Sequence, residues 1–169
     1  MKRRLHHSRR YAFFVTAILT IGASWSLPAA ADQGVLSLPG AHPSYNFELE
    51  PHVIGAPIHD LNLGLGVRGT FVIVDNGFIS SINNSVGIGV GVDYTKHFMI
   101  PVVMQWNFWL TRNWSVFGEP GVNLGDGGKG KLKPHPHIAA GGRFRLTEQI
   151  HLTGRIGFPA TSVGVSFLL

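Results

Sequence analysis

Eight charged residues draw attention by their spacing: Glu48, Glu50, Arg68, Asp93, Glu119, Arg143, Arg145 and Arg155. Each falls on the polar side of a segment in which every second residue is apolar. Four acids and four arginines on one kind of face read as a charge network, because enclosed charges are costly unless they pair. They do not read as catalysis. The only His-Ser neighbours are His7 and Ser8, inside the basic leader, and His151 stands alone on a polar face. With no nucleophile placed beside a base, no catalytic residue is expected and the chain is not read as an enzyme. His59, His97, His135 and His137, with Asp60, gather near segment ends, where converging imidazoles could take zinc or copper. The His135-Pro136-His137 spacing is not a standard ligand pair, however, and such histidines are commonly only solvated. No metal and no cofactor is expected.

The segments that carry these charges alternate with period 2, as strands with two unlike faces do. In Ser85–Thr95, Val86, Ile88, Val90, Val92 and Tyr94 oppose Gly87, Gly89, Gly91, Asp93 and Thr95. Comparable alternation marks Asn46–Ile54, Leu61–Val74, Phe98–Leu110, Trp114–Leu124, His137–Leu146, Ile150–Phe158 and a last strand from Ser162 to Leu169. These make eight strands, most near the 9–11 residues a tilted strand needs to cross a bilayer. Short turns are expected at Thr111-Arg112-Asn113 and Thr147-Glu148-Gln149, at the end holding both termini of the barrel. Longer loops fall at the other end, near Ala56–Asp60, Thr95–His97, Gly125–Pro136 and Pro159–Thr161. Asp75–Asn84 is long for a connection at the terminal end, and Asn76-Gly77 could nucleate a small hairpin there.

Charge and leader composition narrow the class. The formal charge of +5 concentrates at the start: five of the fourteen basic residues are Lys2, Arg3, Arg4, Arg9 and Arg10. An apolar run from Tyr11 to Leu27 follows, then Pro28 and Ala29-Ala30-Ala31, the pattern of a secretory signal peptide cleaved before Asp32. Without residues 1–31, nine basic residues face nine acidic ones, and no charge excess remains to suggest nucleic acid. The chain has no cysteine, so its exported part rests on its fold alone. Residues 32–45, interrupted by Pro39 and Pro43, read as a polar periplasmic lead-in to a barrel over residues 46–169.

Two placements favour a sheet closed with its apolar face towards lipid. Phe47, Phe71, Phe108, Trp114, Phe144 and Phe167 would ring the terminal end outside, and Tyr94, Phe98 and Phe158 the other. Membrane barrels carry two such aromatic girdles. The charged face would then be enclosed, with glycines leaving room for the arginines. The chain ends with Ser162, Gly164, Phe167 and Leu169, similar to the terminal signal by which outer-membrane barrels are recognised for assembly; Leu169 replaces the usual final aromatic residue.

Together with the eight strands, residues 46–169 resemble the small OmpA-type and OmpX-type barrels of the bacterial outer membrane. The resemblance is architectural. It implies an all-β, eight-stranded antiparallel up-and-down transmembrane barrel preceded by a signal peptide, with outer-membrane lipid and the barrel-assembly machinery as partners. It brings no catalytic motif. A structural or surface-interaction role is expected, with the lumen filled by charges; a narrow porin-like channel for small solutes is the alternative. On such a barrel, Lys129, Lys131 and Lys133 would lie on an external loop, where they could contact lipopolysaccharide phosphates. The glycines around them equally suit a mobile, solvated loop.

Overall fold

The computed structural model describes residues 34–56, 62–126 and 132–169. The expected signal peptide (residues 1–31) lies outside them. Eight antiparallel strands follow one another in chain order: β1 (Phe47–Ala56), β2 (Asn62–Val74), β3 (Asn84–Tyr94), β4 (Phe98–Trp109), β5 (Trp114–Asp126), β6 (Leu132–Arg145), β7 (Ile150–Phe158) and β8 (Thr161–Leu168). Each pairs with the next, and β1 pairs with β8, so the sheet closes into a barrel. Closure satisfies both edges of the sheet, which is what allows a sheet to sit in hydrocarbon.

The period-2 pattern determines which way each side chain points. Outward positions such as Leu65, Phe71, Val90, Val102, Ile138, Ile156 and Val163 are exposed. Inward positions are buried and mostly polar: 21 buried polar or charged residues stand against nine buried hydrophobic ones among the described residues. A water-soluble fold has the opposite arrangement. Aromatic pairs lie on the outer wall near the terminal end, Phe47 on Phe71 at 4.7 Å and Trp114 on Phe144 at 4.9 Å between ring centroids.

Prolines within strands sit where the ladders break. The β1–β8 register lapses opposite Glu50 and Pro51, β3–β4 opposite Ile100 and Pro101, and β4–β5 opposite Glu119 and Pro120. A proline has no N–H to give a neighbour, so the lapse is the expected accommodation.

Three departures from the sequence reading have physical causes. Pairing between β5 and β6 continues to Asp126 opposite Leu132, so much of Gly125–Pro136 is strand rather than loop. Over Leu132–His137, β6 has β5 beside it and no register with β7, whose pairing starts at Ile138. The second departure is the segment before β1. Residues 32–45 read as a polar lead-in, yet Val35 and Tyr45 are buried in one cluster with Trp109 and Leu168, against which Val72 packs. Val35 N–H donates to the Leu110 carbonyl, Asn83 N–H to Leu36, and Asn46 N–H to Leu169. His42 stacks on Trp109 and donates from Nε2 to the Asp75 carbonyl at 2.9 Å. The segment thus folds against inward-facing residues at the terminal end. Burial there raises the Tyr45 phenol above its ordinary pKa and keeps it neutral.

The third departure is Asp75–Asn84, which forms turns and no strand pair of its own. Gly77 has a φ of 53°, and a Cβ there would collide with the Asn84 carboxamide. Asn84 Nδ2 donates to the carbonyls of Ile79 and Ile82, both at 2.8 Å, while its Oδ1 accepts from Trp106 Nε1 at 3.0 Å. One side chain therefore substitutes for the missing ladder. Phe78 packs edge-on to Trp106, and Val86, outward by parity, is fully buried beside it.

Candidate functional site: the charged lumen

Seven of the eight singled-out charges meet inside the barrel. Their side chains are at most 7% exposed. Towards the terminal end, Arg143 on β6 grips Glu48 on β1 with two bonds, Nε to Oε1 at 3.1 Å and Nη2 to Oε2 at 2.7 Å. Its Nη1 donates to Asn107 Oδ1 at 2.6 Å. One layer further, Arg155 on β7 holds Glu50 in the same two-pronged way, at 2.7 and 2.9 Å. Such paired geometry suits the planar guanidinium, which presents two parallel N–H groups to a carboxylate.

Glu119 on β5 is the hub. Its carboxylate accepts from Arg68 Nη1 at 2.7 Å, Arg155 Nη2 at 3.1 Å and Gln105 Nε2 at 2.9 Å. Arg68 also lies 3.9 Å from Asp93 on β3. Asp93 in turn bonds His52 Nε2 at 3.0 Å. The contacts therefore run across the lumen between strands far apart in the chain.

An aromatic ring divides the arginines. Phe117, buried on β5, lies under the guanidinium of Arg143 at 4.5 Å and that of Arg155 at 5.1 Å from its centroid. Its ring fits because position 141 is glycine: a Cβ there would strike the ring and stand 2.6 Å from the Gly154 carbonyl oxygen. Gly141→Ala is therefore expected to cost about 1–3 kcal/mol, the usual range for forcing extra volume into packed space. Urea unfolding in micelles measures this; a variant as stable as the parent would show that the ring has room to move.

Arg145 does not join the network. Its inward parity is cancelled by position: it is the last residue of β6, its side chain is 27% exposed, and it pairs with Glu148 in the following turn at 3.4 Å. Glu119 and Arg143 do not meet either. The β5–β6 register sets Glu119 opposite Ala139 and Arg143 opposite Ser115, so the two are four residues apart along the sheet. Phe117, Gln105, Asn107, His52 and His137 complete the lumen without having been assigned to it. The signal was their parity, and for Phe117 an aromatic residue on an otherwise polar face.

The remaining singled-out residues disperse. His137 is buried in the lumen, 3.8 Å from Glu119, while His97, Lys133 and His135 are exposed. His59, Lys129 and Lys131 lie outside the described residues. Among the described residues no group of three His, Asp or Glu side chains is placed to hold a metal ion. At the chain end, Ser162 and Gly164 face inward, Phe167 is half-buried opposite Leu49 and Ile150, and Leu169 N–H donates to the Phe47 carbonyl. A small space, about 10 Å³, lies among His52, Arg68, Asp93, Asn123, His137, Arg155 and Ser162. It is about the least that can hold one water molecule.

No family model and no curated protein matches this sequence. Solved structures do share its fold. A protein from the de novo design of transmembrane β-barrels is similar over 76% of this chain and 99% of its own, at 11% identity and a TM-score of 0.56. The designed barrel TMB2.3, solved by NMR in solution, is similar over 75% and 96%, at 11% identity and 0.50. The outer membrane protein Ail of Yersinia pestis, determined in a phospholipid bilayer nanodisc, is similar over 75% and 100%, at 8% identity and 0.47. The fold of this chain is that of an eight-stranded transmembrane β-barrel.

Proposed function

We propose that this chain is an integral β-barrel of the bacterial outer membrane, with a structural or surface-interaction role and a lumen plugged by its own charges. The observation that carries the reading is the inverted distribution of side chains: an apolar outer wall around a buried network of three arginines and four acids. Eight strands leave an interior that side chains can fill. Here the Arg143, Phe117 and Arg155 stack occupies the middle, and the Val35, Tyr45, Trp109 and Leu168 cluster lies at the terminal end. Both features support a closed barrel over a narrow channel.

Export by cleavage before Asp32, and recognition of Ser162, Gly164, Phe167 and Leu169 by the assembly machinery, belong to the same proposal. So does contact of Lys133, exposed at the far end, with lipopolysaccharide phosphates, in company with Lys129 and Lys131. The functional test is conductance. Purified protein in a planar bilayer is expected to leave the membrane at its bare-lipid conductance, apart from rare brief events. A large and steady conductance would overturn the plug and establish the channel reading in its place. Cell fractionation tests the location: the protein is expected with the outer membrane, starting at or near Asp32. An inner-membrane protein retaining residues before Tyr11 would contradict it.

A further inference from the structure

With Arg145 outside, the described residues place four carboxylates and three guanidiniums in the lumen. Glu48, Glu50 and Glu119 are matched in number by Arg143, Arg155 and Arg68, which leaves Asp93 as the unmatched acid. Asp93 is buried, and its near neighbours are His52 and, at 3.9 Å, the already committed Arg68.

The two ring nitrogens of His52 both face acceptors. Nε2 lies 3.0 Å from Asp93 Oδ1, and Nδ1 lies 3.2 Å from the Glu50 backbone carbonyl. A carbonyl oxygen only accepts, so the Nδ1 contact uses one ring proton. The Nε2 contact needs a second proton, carried by either the ring or the carboxyl. A neutral ring beside an ionised carboxylate has only one proton to serve both contacts. Both contacts can be hydrogen bonds only if the pair carries two.

We propose that His52 and Asp93 form a proton-binding site, holding one proton more than a neutral histidine beside a carboxylate, and that this proton completes the charge balance of the lumen. Two independent observations converge on it: the count of enclosed charges, and two histidine contacts that both require donors. The charged and titratable groups around the pair are Glu50 on β1, Arg68 on β2, His137 on β6 and Arg155 on β7, with Glu119 on β5 behind them against Arg68, His137 and Arg155. Of these, Arg68 and Arg155 are engaged by Glu119 and Glu50 and do not supply the missing positive charge. The inference rests on the lumen being enclosed, as proposed above. Conductance tests that premise, and the substitutions below test the proton.

The two charge assignments predict opposite orders of stability. If the pair holds the extra proton, His52→Gln leaves Asp93 buried without compensation and lowers the urea midpoint sharply. Asp93→Asn removes acid and proton together, keeps the lumen neutral and lowers the midpoint less. Adding Asp93→Asn to His52→Gln then restores part of the loss. If instead the ring is neutral beside an ionised Asp93, Asp93→Asn relieves a lone buried charge and raises the midpoint, while His52→Gln changes little; that order overturns the proposal. Should His52→Gln fail to fold, recovery of folding in the double variant supports the site, and its failure to recover contradicts it. NMR of the intact barrel in micelles at neutral pH, with labelled ring nitrogens and carboxyl carbons, reads the proton directly. Either two protonated ring nitrogens, or one with a protonated Asp93 carboxyl, is expected. One bare nitrogen together with an ionised Asp93 would refute it.

Discussion

Replacing Glu119 with alanine is expected to destabilise the barrel by about 3–5 kcal/mol, the usual cost of removing one member of a buried ion pair. Most of that cost comes from what is left behind. Arg68 and Gln105 lose the acceptor they share, and Arg155 retains Glu50 but loses a second carboxylate. The specific signature is in the coupling. Groups in one network interact non-additively by about 0.5–3 kcal/mol, while groups without shared partners add. Double-mutant cycles in urea should therefore show coupling of Glu119 with Arg68 and with Arg155. With Arg145, which pairs in the turn with Glu148, the effects should add. Coupling to Arg145 as large as that to Arg68 would mean that the lumen is connected differently.

The second large effect concerns the outer wall. Val90 lies well within β3, outward and 46% exposed, opposite Gly69 on β2 and Val102 on β4. A charged side chain at the midplane of a membrane barrel costs about 2–4 kcal/mol. Val90→Arg should reduce folding into phospholipid vesicles by that amount. Thr153→Ser, inward and buried, keeps the hydroxyl that bonds Ser166 at 2.6 Å and should fold nearly as well as the parent. Equal tolerance at the two positions would mean that the faces are reversed or that the outer wall does not meet hydrocarbon.

The strands were legible because one physical rule generates them. A sheet between lipid and an enclosed lumen must alternate, and Val86 to Tyr94 alternates without a slip. Parity put Glu48, Glu50, Arg68, Asp93, Glu119, Arg143 and Arg155 on the inner face, and all seven are buried. It could not say who meets whom, because pairs such as Arg155 with Glu50 form across a lumen whose geometry depends on register around the whole barrel. It also failed for Arg145, since parity gives direction and not depth, and a strand's last residue can reach water. The Val35 and Tyr45 docking was hidden because two apolar residues ten positions apart, separated by prolines, form no period. Asp75–Asn84 was visible as an anomaly of length. Its solution, one asparagine bonding the backbone of its own loop, depends on a three-dimensional turn around Gly77.

A barrel that turns its apolar face to lipid and encloses its charges should show that division residue by residue. Because the chain has no native cysteine, single cysteines can be introduced without background. Cysteines at Val90, Val102 and Val163, labelled with an environment-sensitive fluorophore, sample the outer wall; cysteines at Ser115 and Ser166 sample the lumen. In vesicles of brominated phospholipid, the three outer labels are expected to report an apolar setting and to be quenched by the brominated chains. The two inner cysteines are expected to resist labelling in the folded barrel. Ready labelling of Ser115→Cys and Ser166→Cys, with no quenching at the valine positions, would contradict the account.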